Sequence, residues 1–565
     1  MARTGVWALP LPTRPSRPSR PSRPRSPLRT GVTWRATAAL TADVLLLGLL
    51  VLAGLAVRLW VLGINDELNA DESIPGLMAR HILYAGERPV FFYGQHYFGA
   101  AEAYLIAGLF AAFGFFPRLV VVPALAASLL LVPVTYFLGR RLAGRTAGLL
   151  AALPVAVAPP IMAKLYANSG GGFSLAFLLN GATLLAYLAA YLRPPGTPGV
   201  LPRAMLFSLL AGMLCWVWQP ALALLPVLVP LLLWRQPSLR HPLRLLLALA
   251  PLAVGLAPPL AYNLAEGWPS VTQLARKYSS PLGWEAAPGI GRGPAAVGAL
   301  LLIAFGGGNE AEGGANPLQS ALVAVAFPLT VVLLWRGHDV VSRRRLTAAL
   351  ILALTAIVAA LAAHGTVRHL APVAHLGFAF AGAALVLLAR RLLPRPAGLA
   401  EVAATALAVG LLVLPNLYLD ASAGWIFQRF VARESDVQTL VRALQERGLT
   451  AGYGDYWTAY PVTYLSGEGV AVAPRAASIW GERVDRYPPL TYRVEEVEDP
   501  QRVFLLLDDR CDPLPYLLPL EQDEATYRLE RIARWYLIWD VQPVAENTYT
   551  TLWTWYQVIT FRSHC

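Results

Sequence analysis

The sequence predicts an α-helical membrane protein with many spans, followed by a water-soluble C-terminal α/β domain. The 565 residues are 56% hydrophobic and only 14% charged. The apolar residues gather in runs of about 20, the length that crosses a bilayer as a helix. Of the 34 Asp and Glu residues, 13 lie in residues 1–419 and 21 lie in residues 420–565. This imbalance indicates that residues 420–565 form a soluble domain.

The chain begins with a basic tail, residues 1–36. Its repeat RPSRPSRPSRPR (14–25) has no apolar residue to bury, so we expect a disordered cytoplasmic arm. The alternative role is weak attraction to membrane lipids, worth about 1 kcal/mol per basic residue. The net charge of +12 is not accompanied by a nucleic-acid recognition fold, and we expect no nucleic-acid partner.

Residues 37–419 form the predicted transmembrane domain, with about eleven spans. One segment, 204–234, contains Gln219-Pro220 at its middle, which favours either a kinked helix or two short ones. The predicted spans are 37–62, 98–116, 118–139, 146–165, 172–192, 204–234, 243–263, 317–335, 346–363, 371–389 and 397–419.

Basic stretches set the predicted topology, because positive charge marks the cytoplasmic side of a membrane protein. The N-terminal tail and the stretches at 336–345 and 390–395 are therefore predicted to be cytoplasmic. An odd number of spans then puts the C-terminal domain outside the cell membrane, together with a first loop (63–97) and a second loop (266–294). The stretch RRLAGR (140–145) also falls outside, against its charge.

The C-terminal domain alternates helical and strand patterns. ESDVQTLVRALQERG (434–448) has apolar residues at helical spacing and ends at a glycine, as an amphipathic helix does. GVAVAP (469–474) and RVFLLLDD (502–509) are typical of short buried strands. Cys511 and Cys565 lie in this domain, where an oxidising compartment would allow a disulfide that the sequence alone does not establish.

Carboxylates are concentrated in the first loop. Asp66, Glu67, Asp71 and Glu72 follow directly on the first span. Apolar residues from Ile74 onward recur at roughly helical spacing, so we expect an amphipathic helix lying on the membrane. Asp71 and Glu72 would then occupy its N-terminus, where the helix dipole favours negative charge.

The entry to the second predicted span carries Gln95, His96, Tyr97 and Glu102. An ionisable group at the edge of a span is costly unless it faces a polar cavity. Glu102 is therefore the most informative of these residues. The alternative is that Glu102 only reaches back to the lipid headgroups.

These loop residues resemble a known family. The Asp-Glu pair, the surface helix and the stretch PVFFYGQHYFGAAEAYLIAGLFAAFGFFPR resemble the first outside loop and second helix of GT-C glycosyltransferases. The similar proteins are bacterial members of family 39, relatives of protein O-mannosyltransferases and lipid A aminoarabinose transferases. Further motifs resemble the family in the same order: NSGGGF, WVWQP, VRHLAP, GYGDYWTAYPVTYLSGEGVAVAP and DRYPPL.

The resemblance implies an inverting transfer of a sugar from a polyprenyl-phosphate donor to a lipid, glycan or protein acceptor on the outer face of the membrane. By position, Asp71 matches the family's general base. We expect Glu72 to share the catalytic position, Gln95, Tyr97 and Glu102 to support substrate binding, and Asp66 to be the alternative base.

A phosphate leaving group needs a cation to balance its charge. Arg368, beside His369, is the first candidate, since an arginine can hold phosphate oxygens bidentately; its alternative role is an anchor to lipid phosphates. Arg276 and Lys277 of the second loop are the others. The histidines around Arg368 lack a paired carboxylate, so we expect no metal cofactor.

Four aromatic residues of the C-terminal domain could form its core or a platform on which a sugar stacks: Tyr453, Tyr456, Trp457 and Tyr460. Three other functions predict different features. A polysaccharide polymerase or ligase would concentrate its chemistry in a large late loop, and a lipid or sugar transporter would show broken helices at symmetric positions. A simple membrane anchor does not account for ionisable residues at several span edges.

Overall fold

The computed structural model describes residues 30–64, 68–167, 172–279, 317–337, 339–362, 373–394, 396–422, 433–474, 485–497, 502–509, 517–518, 520–521 and 524–542. The chain divides into two compact units, Met1–Leu46 and Leu47–Cys565. In the first unit, the described residues are helical. The second unit holds all the other helices and both β-sheets.

Apolar helices dominate residues 30–422, because Leu and Ala favour helix and a helix that is apolar all round suits a membrane. Within the described residues, eight helices are long and apolar enough to cross a bilayer. Short 3-10 or π segments extend several of them. The α-helices are Thr30–Ile64, Ala70–Arg80, Ala101–Phe113, Val122–Ala143, Arg145–Ala156, Pro160–Ala167, Phe173–Tyr191, Val200–Val217, Leu225–Arg235, Pro242–Ala265, Pro269–Ser279, Pro317–Trp335, Val340–Ala362, Ala374–Leu392, Ala397–Ala408 and Leu414–Ser422.

The basic stretches meet at one end of this helix bundle. Arg390 Nη1 donates to the carbonyl oxygen of Ala143 at 3.3 Å, and a Cβ on Gly144 would lie 3.8 Å from Arg345 Nη2. RRLAGR therefore lies at the same end as the stretches at 336–345 and 390–395. The prediction that RRLAGR lies on the opposite face is wrong, and its charge now agrees with the positive-inside rule.

The position of RRLAGR was predicted wrongly because segment 98–116 was counted as a span. This segment does not cross the helix bundle. The helix Ala101–Phe113 has 13 residues and is about 20 Å long, short of the roughly 30 Å hydrocarbon layer. At its start Glu102 lies beside Gly172, and just past its end Tyr464 of the C-terminal domain donates to the carbonyl oxygen of Pro117 at 2.8 Å. Both ends thus lie on the face that carries the C-terminal domain.

A second difference compensates for the first. Segment 204–234 is two antiparallel helices that meet at Trp218, whose extended backbone interrupts the helix. Gln236 Nε2, just past the second helix, donates to the carbonyl oxygens of Ala190 at 3.0 Å and Arg193 at 2.8 Å. The chain has therefore returned to the side where the segment began. Compared with the prediction, segment 98–116 is one span fewer and segment 204–234 is one span more. The first loop and the C-terminal domain therefore remain on one face.

The C-terminal domain is built on a mixed five-stranded sheet. The first loop contributes a small separate ribbon, β1 (Phe91–Phe92) and β2 (Gln95–Gly99). The domain sheet has the order β4-β3-β5-β7-β6, with β3 parallel to β4 and β5, and β7 antiparallel to β5 and β6. Its strands are β3 (Ala451–Gly454), β4 (Ala471–Pro474), β5 (Val503–Asp508), β6 (Thr526–Ile532) and β7 (Trp535–Gln542).

The secondary structure predicted for this domain is confirmed. The amphipathic helix is Glu434–Glu446, and Gly448 adopts a φ of 68° just beyond it. Both predicted strands are present, as β4 and β5. Two further helices, Tyr456–Leu465 and Pro488–Glu495, flank the sheet. Tyr456–Leu465, named the tail helix below, faces the first loop.

A buried arginine stabilises the break after the helix Arg145–Ala156. Arg58 is fully buried, and its guanidinium donates to the carbonyl oxygens of Val155 at 3.0 Å and Ala156 at 3.3 Å. It also donates to Ser128 Oγ at 2.8 Å. These helix-end carbonyls have no partner within their own helix, and lipid offers none.

We expect Arg58→Met to destabilise the protein by about 2–4 kcal/mol, because it leaves buried carbonyl groups without a donor. Thermal unfolding in detergent measures this effect. Arg244→Met removes an exposed arginine and should change stability little. Equal melting temperatures for the two variants would contradict the role of Arg58.

Candidate active site between the first loop and the C-terminal domain

The first loop contains a short helix, Ala70–Arg80, named the loop helix below. Its sequence NADE forms a capping box: Asn69 Oδ1 accepts from the backbone nitrogen of Glu72 at 3.1 Å, and Glu72 Oε2 accepts from the backbone nitrogen of Asn69 at 3.1 Å. Glu72 is only 4% exposed. One of its oxygens is thus used to begin the helix, while the neighbouring Asp71 remains partly exposed.

The loop helix is a packed element and has no open apolar face. Every residue from 72 to 79 is buried, and a Cβ on Gly76 would lie 2.4 Å from Cε2 of Tyr464 in the tail helix. The helix itself was predicted correctly. The tail helix covers residues 72–79, so this part of the predicted stretch is not an open surface helix, whereas Leu83 and Tyr84 at its end are exposed.

Asp71 contacts the start of the tail helix. Tyr456 donates its hydroxyl hydrogen to Asp71 Oδ1 at 2.8 Å. Burial, followed by the charge of Asp71, raises the pKa of Tyr456 well above its usual value, so Tyr456 is a neutral donor. Asp455 caps the tail helix by accepting from the backbone nitrogens of Trp457 and Thr458. The N-termini of two helices therefore meet at Asp71.

The four aromatic residues of this region have different roles. Tyr453 and Tyr460 are buried, and the hydroxyl of Tyr460 accepts from the backbone nitrogens of Arg486 and Tyr487. Trp457 is 47% exposed beside Tyr456. The core interpretation fits Tyr453 and Tyr460, whereas Tyr456 is buried but contacts Asp71, and Trp457 is exposed beside it.

Arg486 links Tyr456 to two residues of β2, Gln95 and Tyr97. With its amide oxygen turned toward the guanidinium, Gln95 accepts from Arg486 Nη2 at 2.8 Å. The Arg486 Cζ atom lies 5.9 Å from the centroid of the Tyr456 ring. Arg486 also interacts electrostatically with Asp71 and Tyr97. Three predicted site residues, Asp71, Gln95 and Tyr97, are thus brought together.

Arg486 was not predicted as a site residue, and Tyr456 was predicted only as part of the core or of a platform for a sugar. Both lie in stretches that the sequence marks, since Tyr456 is in GYGDYWTAY and Arg486 is in DRYPPL. Both motifs could be seen in the sequence, but neither indicated which of its residues contacts the first loop.

The second loop fixes the position of β2. In its helix Pro269–Ser279, Ser270 contacts the carbonyl oxygen of His96, and Gln273 Nε2 donates to the carbonyl oxygen of Gly94 at 2.9 Å. Arg276 and Lys277 lie one turn further along this helix; their side chains are outside the part of the chain that the structure describes.

The motif WVWQP fixes β2 from the opposite side. Trp216 Nε1 donates to the carbonyl oxygen of Val90 at 2.9 Å, and Trp218 pairs with Phe98 through a β-bridge. Gly99 is required here, because a Cβ on Gly99 would lie 2.5 Å from the backbone oxygen of Trp216.

Gly99→Ala should therefore destabilise the protein by about 1–3 kcal/mol, as overpacking against backbone does. The loss is measured by thermal unfolding in detergent. Gly108→Ala is the matched control, since nothing lies within 4 Å of a Cβ on Gly108. A Gly99→Ala protein as stable as this control would contradict the close packing.

Glu102 lies at the back of the site. It is 3% exposed, in the first turn of the helix Ala101–Phe113. The backbone of Gly172, the last glycine of NSGGGF, faces its carboxylate, and the charge of Glu72 acts on it. Glu102 thus points into the protein and does not reach back to the headgroups, and Gly172 lies beside it.

A second polar cluster ties the first loop to the C-terminal domain. Glu468 Oε1 accepts from Arg80 Nε at 2.9 Å, and Glu468 Oε2 bonds His81 Nε2 at 3.1 Å. Glu87 accepts from the hydroxyls of Tyr93 and Tyr487. Burial alone would raise the pKa of Glu468, but hydrogen bonds from His81 and Arg80 and their charges lower it to about 2. We name Arg80, His81 and Glu468 the latch.

Several predicted residues lie outside the described ranges: Asp66, Glu67, His364, Arg368, His369, Cys511 and Cys565. Among the described residues, no group of three or more His, Cys, Asp or Glu side chains could hold a metal ion.

Known structures share this architecture. The chain is similar to ArnT from Cupriavidus metallidurans bound to undecaprenyl phosphate, with a TM-score of 0.57 and 14% identity over 87% of this chain and 97% of that chain. Its apo state gives a TM-score of 0.56 and 14% identity over 89% and 98%. The apo Archaeoglobus fulgidus oligosaccharyltransferase gives 0.49 and 13% identity over 83% and 70%.

No family model matches the chain, and the search of curated proteins finds no match. The structural likeness to ArnT extends over nearly the whole length of both chains and agrees with the loop motifs. The protein is therefore an α-helical membrane protein with the GT-C fold and a C-terminal sheet region.

Proposed function

We propose that this protein is an inverting membrane glycosyltransferase, which moves a sugar from a polyprenyl-phosphate donor to a hydroxyl group of a lipid, glycan or protein on the outer face of the cell membrane. The observation that carries the proposal is the position of Asp71. Asp71 is a partly exposed carboxylate, fixed by a capped helix and by Tyr456, on the face of the bundle opposite its basic loops.

In the proposed reaction, Asp71 acts as general base. The acceptor hydroxyl gives its proton to the carboxylate as its oxygen forms a bond to the anomeric carbon. The bond between that carbon and the donor phosphate oxygen breaks on the opposite side, and polyprenyl phosphate leaves with the electron pair. Attack from the side opposite the leaving group inverts the anomeric configuration.

The neighbouring residues position the base and line the substrate region. Glu72 holds the first turn of the loop helix and so orients Asp71. Tyr456 bonds one oxygen of Asp71 and so fixes the orientation of its carboxylate. Glu102, Gln95 and Tyr97 would line the substrate region.

The proposed reaction also needs a positive charge beside the leaving phosphate. Arg368 stays the first candidate from the sequence, followed by His369, Arg276 and Lys277. We propose that side chains alone supply this charge and that no metal takes part. A chelator should then leave the transfer rate unchanged.

The donor class is supported by the shared fold. The similar ArnT structure holds undecaprenyl phosphate. A lipid-linked donor also suits a site at the junction between a membrane bundle and a soluble domain, because the lipid chain stays in the bilayer while the sugar reaches water.

The direct test uses the purified full chain in lipid nanodiscs, radiolabelled polyprenyl-phosphate sugars and extracted envelope acceptors. We expect label to move into an acceptor, with inverted configuration at the anomeric carbon by NMR. Retention of configuration would contradict the mechanism, and absence of transfer from any polyprenyl-phosphate sugar, with donor binding intact, would contradict the donor class.

A further inference from the structure

Arg486 occupies the centre of the junction between the first loop and the C-terminal domain. It lies just before the helix Pro488–Glu495, and its Nη1 donates to the carbonyl oxygen of Gly94 at 3.3 Å. The amide oxygen of Gln95 accepts from Nη2 of the same guanidinium, and the ring of Tyr456 lies beside this guanidinium. The guanidinium is thus held in place by neutral groups from both partners of the junction.

Arg486 differs from the other arginines of this junction in its missing counter-ion. Arg80 is paired with Glu468 at 2.9 Å, and Arg118 is paired with Glu434. No carboxylate of the described residues lies within the 4.0 Å ion-pair distance of Arg486. Asp71 acts on Arg486 electrostatically, and its Oδ1 accepts from the hydroxyl of Tyr456.

A partly buried cation without a counter-ion is costly, and a bound anion would relieve that cost. A guanidinium presents a planar fork of donors that matches two phosphate oxygens. Arg486 also lies near the proposed base, separated from it by Tyr456. An anion held by Arg486 would lie in the same junction as the proposed base, next to the ring of Tyr456.

We propose that Arg486 binds the phosphate group of the polyprenyl-phosphate donor, so that the C-terminal domain supplies part of the active site. This proposal rests on the proposed function. It assigns the soluble domain a direct role in binding the donor, and it adds to Arg368 a cation that comes from a distant part of the chain.

The test measures binding without catalysis. Purified wild-type protein, Arg486→Gln and Arg486→Lys in zwitterionic nanodiscs are titrated with undecaprenyl phosphate and, separately, with uncharged undecaprenol. We expect Arg486→Gln to weaken undecaprenyl phosphate binding about 10- to 100-fold, the effect of losing a charged hydrogen-bond donor, and to leave undecaprenol binding unchanged. Arg486→Lys should lie between the two.

Arg442→Gln is the matched control, since it removes an exposed arginine of the same domain whose described side-chain hydrogen bond is to Thr439 of its own helix. It should bind undecaprenyl phosphate as the wild type does. Equal phosphate binding by Arg486→Gln and wild type would overturn the proposal, as would an equal loss of phosphate and undecaprenol binding, which indicates a structural role. A third titration uses nanodiscs containing anionic phosphatidylglycerol. If that lipid displaces undecaprenyl phosphate from the wild type but not from Arg486→Gln, the site belongs to bulk headgroups and the proposal fails.

These outcomes are separable from the proposed function. Wild-type transfer with unchanged phosphate binding by Arg486→Gln would reject only the role of Arg486. Specific phosphate binding through Arg486 without any sugar transfer would reject the proposed reaction and keep the anion site.

Discussion

Replacing Asp71 by Asn should lower the turnover number for sugar transfer about 100- to 10,000-fold, the usual contribution of a general base. The substitution keeps an oxygen that can accept the hydrogen bond from Tyr456, so we expect the loop helix and its contact with the tail helix to persist. A base acts in the transition state, and KM for the donor should therefore change little. Initial rates at varied donor concentration, with thermal unfolding of the same samples, measure both quantities.

Glu72→Gln is the comparison variant, because it removes the same charge one residue later. Glutamine also serves in a capping box, so the first turn should remain folded. We expect this variant to lose less than about 10-fold in rate, since positioning the base is a smaller contribution than proton transfer. An Asp71→Asn enzyme with wild-type turnover would remove Asp71 as the base, and a larger loss in Glu72→Gln would transfer the role to Glu72.

The local part of the site could be predicted from sequence. The carboxylate pair at a helix start is encoded within NADE, where the capping residues are three positions apart. The contact that completes the site could not be predicted in this way, because Tyr456 and Asp71 are 385 positions apart. Only the fold brings such residues together, and apolar patterns do not specify which side chain of a motif crosses an interface.

The membrane topology shows a similar limit. The helix Ala101–Phe113 is as apolar as a span, because residues buried under a protein domain and residues facing lipid have the same hydropathy. The positive charge of RRLAGR indicated that it lies with the other basic stretches, and the contact of Arg390 with Ala143 agrees with this. Where hydropathy and charge disagreed, the charge correctly grouped this stretch with the other basic stretches.

Replacing Glu468 by Gln should release the first loop from the C-terminal domain. Glu468 bonds Arg80 and His81 in the latch, and the Arg80 guanidinium is only partly exposed. Loss of the carboxylate charge leaves Arg80 without its counter-ion, which we expect to weaken the docking by about 1–3 kcal/mol. Hydrogen exchange of residues 70–97 should accelerate, and transfer should fall because Asp71 belongs to the same loop.

The latch also predicts a pH dependence with a definite sign. The folded pKa of Glu468 is about 2, below the ordinary value of 4.5. A carboxyl with a depressed pKa stabilises the folded state fully above its unfolded value, and this contribution is lost as the pH falls from about 4.5 toward 2. His81, Glu87, Tyr93, Tyr487 and Arg493 also surround the latch, so the diagnostic quantity is the difference between wild type and Glu468→Gln.

That difference in melting temperature should shrink below about pH 5, because the variant has no carboxyl to protonate at this position. Glu530→Gln is the control, since Glu530 pairs with Arg447 at 2.7 Å on the exposed surface of the same domain, where an ion pair contributes little. If Glu468→Gln matches this control in hydrogen exchange across residues 70–97, the latch does not hold the loop. The position of Asp71 would then depend on Tyr456 and the packing of Gly76 against Tyr464 alone.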